Sequence, residues 1–423
     1  MAGRVRHPID TAALERYIRE NVPEIKVPLD VKQFGFGQSN PTYQLTAADG
    51  ARYVLRKKPP GKLLSQSAHK VEREHRIIAA LSRLSSPTTH SSVPVVPVPR
   101  AYCLCEDPSV LGTPFYIMSY VPGRIFEDAA MPTASSPSDR TSLWRAAVEA
   151  LAALHAVDPD AAGLGSFGRR AGFYGRQLAT WRSICDAQAR ARDVDTGELV
   201  GEIPHMDELV GFFADEARRP RDRATLVHGD YKIDNVVFDA ERPRVAGILD
   251  WEMSTIGHPL SDLANLLHPF VSAELSSALS SSTSSSSTSS PSSTPEAKAE
   301  ALSAAAPHPG FLPGATPGLP TPSDIIAWYA AAGGEKGWTP GADEVAWACA
   351  FSVFRLAAIC QGIAARVATR QASSADARRH AAAFRPLGEF AWVLVRREVE
   401  KRGEEGEGKK GEGKGKGAAA AKL

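Results

Sequence analysis

The segment Leu226-Val-His-Gly-Asp-Tyr-Lys-Ile-Asp-Asn-Val-Val-Phe238, followed by Gly247-Ile-Leu-Asp-Trp-Glu252, constrains this chain more than any other stretch. Three β-branched or apolar runs, at 225–227, 236–238 and 245–249, are too short for helices and are separated by Gly, Asp and Asn. The spacing predicts short strands around a loop, with the last strand ending at Asp250. The loop carries Asp230 and, five residues on, Asn235. Both residue types commonly do no more than cap turns, and an Asp–Asn pair alone is a weak signal. His228 two residues before Asp230, the flanking strands and a second Asp at a strand end form a constellation that turn-capping does not explain.

The surrounding chain changes character along its length. Residues 10–21 read as a short amphipathic helix capped by Asp10, with Leu14, Tyr17 and Ile18 on one face. A glycine-rich turn follows between strand-like runs at 34–45, and a further strand at 52–56 comes after the Ala48-Asp49-Gly50 turn. Residues 67–84 carry helical periodicity, and strands are expected around 100–105 and 114–121. Beyond 122 the patterning is mainly helical, most clearly at 139–156 and 341–369. This implies an α+β chain with an N-lobe over 1–121 and a C-lobe over 122–400. The serine-dominated stretch 272–297 is too poor in large apolar residues to offset chain entropy and the Ala/Pro-rich 298–322 is expected to be only partly ordered, so 272–322 reads as a largely disordered insert. The Lys/Glu/Gly-rich 401–423 is expected to be a disordered tail.

Composition narrows the function classes. With 423 residues, 43% of them hydrophobic, the chain can bury the core of one or two domains. A net charge of +1, with no face-sized basic block, gives no broad attraction to nucleic acid. No apolar run approaches membrane-spanning length, and no hydrophobic segment follows the N-terminal charges, so a soluble, intracellular protein without membrane partners is expected. Five cysteines without CxxC spacing argue against a disulfide framework or a zinc site, and Cys103 and Cys105 alternate as in a packed strand.

The chemistry served by Asp230, Asn235 and Asp250 is phosphoryl transfer. That reaction asks a protein for an aligned acceptor hydroxyl and for metal ions that neutralise phosphate charge. Asp230 beside the hydroxyl, the Asn235 amide oxygen on a metal, and Asp250 bridging that metal meet those needs. Lys232 would reach the transferred phosphate, and His228 would brace the loop. Gly35 and Gly37 would let backbone approach phosphates closely, with Ser39 adding a hydroxyl, although a glycine pair by itself would be an ordinary hairpin turn.

These residues resemble the Brenner-type motif of the aminoglycoside phosphotransferase and choline kinase-like superfamily. Four further segments, 37–43, 53–61, 112–118 and 257–264, resemble the branch found alone or fused to acyl-CoA dehydrogenases. The resemblance covers nearly all of 10–270 and 322–395. It implies a protein-kinase-like two-lobed fold using ATP and Mg2+. It places the strand cation for the nucleotide phosphates at Arg56, where most kinases carry lysine, with Glu74 as its ion-pair partner. Arg56 could otherwise belong to an exposed basic cluster with Lys57 and Lys58. Ser119 and Val121 fall in the segment resembling the adenine-binding hinge. Asp262 would brace the catalytic loop, and His155 would be structural. The resemblance suggests a small-molecule hydroxyl substrate such as a 4-hydroxyacyl-CoA. Other acceptors are an amino alcohol, a sugar or an aminoglycoside, and a catalytically silent nucleotide- or acyl-CoA-binding module is the alternative of another class. The terminal Ala421-Lys422-Leu423 resembles a peroxisomal import signal, so an import receptor is an expected partner and peroxisome the expected location, with cytoplasm otherwise.

Overall fold

A computed structural model describes residues 2–3, 8–35, 40–59, 70–84, 95–275, 308–333, 338–372 and 376–416. Gly37, Ser39, residues 276–307 of the insert and the terminal tripeptide lie outside the described residues. In chain order the strands are β1 (Ala2–Gly3), β2 (Asp30–Phe34), β3 (Thr42–Thr46), β4 (Arg52–Lys57), β5 (Ala101–Cys105), β6 (Phe115–Ser119), β7 (Thr225–Val227), β8 (Val236–Phe238), β9 (Val245–Ile248) and β10 (Thr255–Gly257). The helices are α1 (Thr11–Asn21), α2 (Val71–Leu84), α3 (Pro108–Leu111), α4 (Pro137–His155), α5 (Phe173–Ala189), α6 (Met206–Ala214), α7 (Leu260–Ala273), α8 (Pro322–Ala331), α9 (Ala342–Ala368), α10 (Ala377–Ala382) and α11 (Phe384–Lys416).

Two compact units result, and they do not divide at residue 121. The first comprises Met1–Arg169, Ala224–Asp262 and Gly318–Trp338. Its antiparallel sheet has the order β1-β2-β3-β4-β6-β5. Strand alternation decides what each face carries. Tyr43, Leu45, Tyr53, Leu55, Phe115 and Ile117 point to one side and bury Leu14 and Ile18 of α1. Asp10 caps α1 as the sequence predicts, its carboxylate accepting from Ala13 N–H at 2.9 Å. One residue along β4 from Leu55, Arg56 points to the opposite face, toward α2. In the rest of this unit, α4 buries Leu143, Trp144, Ala147, Leu151 and Leu154 and packs on α8, β7 and β9.

The second unit comprises Arg170–Arg223, Leu263–Pro317 and Thr339–Leu423. Its centre is aromatic: Trp347 and Phe351 of α9 stack with centroids 5.3 Å apart, while Tyr174 of α5 and Phe213 of α6 present edges to both. Two expectations need correction here. First, α9 is long and apolar enough to cross a membrane by length and composition. Its alanines keep the average hydropathy high past Arg355. Its Trp347, Phe351, Val353 and Phe354 are buried inside the unit, as in a core helix. Second, α11 continues to Lys416, so the tail expected from 401 onward is helical over its described part. Lys and Glu are good helix formers by intrinsic propensity.

Cys103 and Cys105 lie on β5 as their alternation predicts, and Cys105 is buried. Replacing Phe213 by Ala should lower the unfolding free energy by about 3–5 kcal/mol, because its ring fills the centre of the aromatic cluster. Denaturant titration followed by tryptophan fluorescence checks this.

Candidate active site

The site is assembled by two small antiparallel ribbons of the first unit. β7 pairs with β10, and β8 pairs with β9 in the register Val236 to Ile248. The loop between β7 and β8 carries Asp230 and ends in a short 3-10 turn at Ile233–Asn235. Leu249 N–H donates to Asn235 O at 2.8 Å, which draws Asn235 beside the strand end bearing Asp250. Asp250 adopts left-handed backbone, φ 64° and ψ 63°, a region where Asp and Asn are the least penalised non-glycine residues. The turn that follows it is closed by Trp251 Nε1–H donating to Ile248 O at 2.8 Å and by the Ser254 hydroxyl donating to Trp251 O at 2.7 Å.

The loop is held from beneath by Asp262 at the start of α7. This carboxylate has no exposure, and it accepts from His228 N–H at 2.7 Å and Gly229 N–H at 2.8 Å. His155 Nε2 lies 3.2 Å from the same group, and His155 Nδ1 lies 2.8 Å from the Tyr329 hydroxyl. Burial alone would raise the Asp262 pKa. The hydrogen bonds and charges of His155 and His228 reverse that and hold it below the ordinary value. His228 braces the loop a second way: Nε2–H donates to Leu249 O at 2.8 Å, while Nδ1 faces Asp230 N–H at 3.3 Å. A carbonyl on one side and a backbone N–H on the other hold the ring in place. The ring is therefore a strut, as expected. Gly229 has φ +87°, and a Cβ there would fall 2.6 Å from Met253 O, so loop and turn can lie this close only with glycine.

Above this base the functional side chains come together. Asn235 Nδ2 donates to Asp230 O at 2.9 Å and to Asp230 Oδ2 at 3.2 Å. Lys232 Nζ is 3.7 Å from Asp230 Oδ2 and 3.1 Å from Asp234 Oδ2. Burial would lower the Lys232 pKa, but the charges of Asp230, Asp234 and Asp250 raise it. One ammonium thus feels both carboxylates singled out in the sequence. Asp230 and Asp250 are 41% and 39% exposed at the side chain, open to a substrate.

Arg56 is only 8% exposed, which excludes a surface cluster. Its Nη1 pairs with Glu74 of α2 and donates to Asp250 Oδ1 at 3.1 Å, and Nη2 lies 4.0 Å from Glu252. Burial pulls its pKa down, and the carboxylates, Glu74 foremost, more than restore it. Burial in turn pushes Glu74 up to about 7 against the pull of Arg56. Lys58 pairs separately with Glu72.

Sequence reasoning missed Glu252 and Asn40, whose Nδ2 comes within 3.5 Å of the Glu252 carboxylate. Their signal was proximity, with Glu252 two residues past Asp250 and Asn40 at the end of the glycine-rich turn. Gly35 sits just beyond β2 and is exposed. Ser119 ends β6, its N–H donating to Arg100 O at 2.8 Å and its hydroxyl accepting from Arg100 N–H at 2.9 Å. Val121 is half-buried against the backbone at Gly247, where a Cβ would come within 3.1 Å of its methyls.

An antiparallel sheet with a buried strand cation paired to a helix glutamate, an Asp–Asn loop and a strand-end Asp define a protein-kinase-like phosphotransferase. The chain belongs to the phosphotransferase enzyme family, whose pattern matches residues 30–281. It is 36% identical over 387 residues to mouse acyl-CoA dehydrogenase family member 10, covering 91% of this chain and 31% of that protein. It is 33% identical over 399 residues to rat acyl-CoA dehydrogenase family member 11, covering 93% of this chain and 44% of that one. The chain therefore spans less than half the length of these curated relatives. Among solved structures, it is similar to a Ralstonia eutropha protein provisionally named an aminoglycoside phosphotransferase, with 31% identity, a TM-score of 0.69, and coverage of 92% of this chain and 99% of that one.

Asp262→Asn should cost about 3–5 kcal/mol at neutral pH, since a neutral amide cannot accept from all three donors. Because the folded pKa is depressed, the stability from Asp262 is present above the ordinary value of 3.8 and is lost as pH falls through the folded value. Denaturant midpoints measured across pH 2–7 should show that acid limb shrink in the variant.

Proposed function

We propose that this small-molecule phosphotransferase uses ATP and magnesium to phosphorylate a hydroxyl group. The observation that carries the proposal is Arg56, a buried cation touching Asp250, within the same unit as the Asp230–Asn235 loop. The residues suit a nucleotide. Arg56 Nε and Asn40 Oδ1 are enclosed without a hydrogen-bond partner, so polar capacity beyond the site's own needs points inward. Among the described residues no group of three His, Cys, Asp or Glu could chelate a metal by itself. Asn235 and Asp250 would hold magnesium together with nucleotide phosphates, the usual sharing for this ion. When bound, the ion neutralises phosphate charge and orients the terminal phosphoryl group.

The remaining work belongs to the side chains. Arg56 binds the α/β-phosphates as an always-charged fork. Asp230 aligns the acceptor hydroxyl and takes its proton. A bond forms between that oxygen and the γ-phosphorus, the bond to the ADP oxygen breaks, and Lys232 contacts the phosphoryl group in transit. We propose a hydroxyacyl thioester, such as a 4-hydroxyacyl-CoA, as the acceptor. Support comes from the relatives' names, which join this kind of domain to acyl-CoA dehydrogenases. An amino alcohol or sugar would use the same machinery.

Asp230→Asn and Asp250→Asn should each reduce kcat by about 10²–10⁴-fold while the circular dichroism spectrum and melting temperature stay near wild type. ADP release, assayed with hydroxyacyl-CoA, amino-alcohol and sugar panels, measures this and ranks the acceptors. Full turnover by Asp250→Asn would overturn the assignment. Magnesium-dependent ATP binding without turnover on any panel would favour a silent binding module.

A further inference from the structure

Arg73 stands next to Glu74 on α2, yet it is not part of the Arg56 cluster. Its Nη2 donates to Phe167 O and to Ser254 O, the latter at 3.1 Å, and its Nε reaches Ser254 O at 3.3 Å. The guanidinium carbon lies 3.8 Å over the centre of the Phe167 ring. Phe167 and Ser254 are each 1% exposed, so this cation is set against a fixed wall rather than a mobile surface.

The position of that wall gives the contact its meaning. Ser254 lies four residues past Asp250 and closes the intervening turn through its own hydroxyl. Helix α2 is therefore tied to the Asp250 turn at two adjacent residues. Arg73 grips the end of the turn directly. Glu74 reaches its beginning through Arg56, which touches both carboxylates. Kinase-like sites work only when the strand cation and the helix glutamate are engaged, and many achieve this through a modification that repositions the helix. Here two backbone carbonyls and an aromatic face occupy the guanidinium.

We infer that Arg73 is a positioning residue of the nucleotide site: it latches α2 onto the turn after Asp250, so that Glu74 stays on Arg56 without a modification or a partner protein. The latch rests on the nucleotide-binding reading only for its functional consequence. Lysine cannot replace it, because a point charge cannot serve two carbonyls and lie flat on a ring at once. Arg76, one turn further, bonds the Ser166 hydroxyl at 2.8 Å and stands 5.8 Å from the centre of the Phe167 ring, too far to lie flat on it, and serves as the control.

The test has two readouts on the full chain. Calorimetric affinity for magnesium with AMP-PNP is measured for wild type, Arg73→Lys, Glu74→Gln, the double variant and Arg76→Ala. Each of the first two single variants should bind about tenfold more weakly, the double variant no worse than Glu74→Gln, and Arg76→Ala within about twofold of wild type. Losses that multiply to about a hundredfold would show that Arg73 does not act through Glu74 and would overturn the inference. Amide hydrogen exchange of α2, measured without nucleotide, should speed up in Arg73→Lys and not in Arg76→Ala; unchanged exchange in Arg73→Lys also overturns it. Faster exchange in Arg73→Lys alongside a wild type that binds no nucleotide would uphold the latch and sink the ATP reading instead.

Discussion

A guanidinium that is almost wholly removed from water organises the first unit of this protein. Arg56 sits among Glu74, Asp250 and Glu252, and taking such a charge out of solvent costs several kcal/mol unless its partners are well placed. The cation and its partners come from three separated stretches of chain: a sheet strand, the helix after it, and the turn beyond β9. None of these can shift far without stranding the charge. The buried pair therefore gives position more than stability, holding the sheet and the carboxylate turn in one arrangement. The cation meets the carboxylates singly, at distances that leave Asp230 and Asp250 half open to a substrate.

The catalytic loop depends on a different device. Asp262, buried and ionised, accepts two consecutive backbone N–H groups and a histidine. Backbone donors cannot move away from it without leaving a buried charge uncompensated, so the loop geometry is set before any ligand arrives. Such preorganisation suits phosphoryl transfer, in which the protein contributes alignment and electrostatics rather than covalent chemistry. Gly229 completes the arrangement by letting the loop and the Asp250 turn touch.

The sequence made some of this legible and hid the rest for identifiable reasons. Asp230, Asn235 and Asp250 could be found because their spacing is local and their strands are short and β-branched. The helix starting after Asp10 followed from capping. The burial of Arg56 could not be read from Arg56-Lys57-Lys58, since only the tertiary position of α2 makes one of three basic residues an inward cation. Asn40, Glu252 and Arg73 escaped for the same reason: their partners are 212, 212 and 181 residues away in the chain. A boundary at residue 121 follows composition, whereas compactness follows packing, which draws 224–262 and 318–338 in with the sheet. The membrane-length α9 escaped because Ser352, Arg355 and Gln361 break its apolar run while its average hydropathy stays high.

We propose that the first unit delivers a nucleotide's terminal phosphoryl group to a metabolite hydroxyl, with Asp230 as the receiving base. Mass spectrometry of a cell extract incubated with the purified protein, magnesium and ATP labelled with ¹⁸O in its γ-phosphate tests it most directly. The account predicts a metabolite that gains the labelled phosphoryl group with wild-type protein and not with Asp230→Asn. Equal label transfer by the two proteins would contradict it.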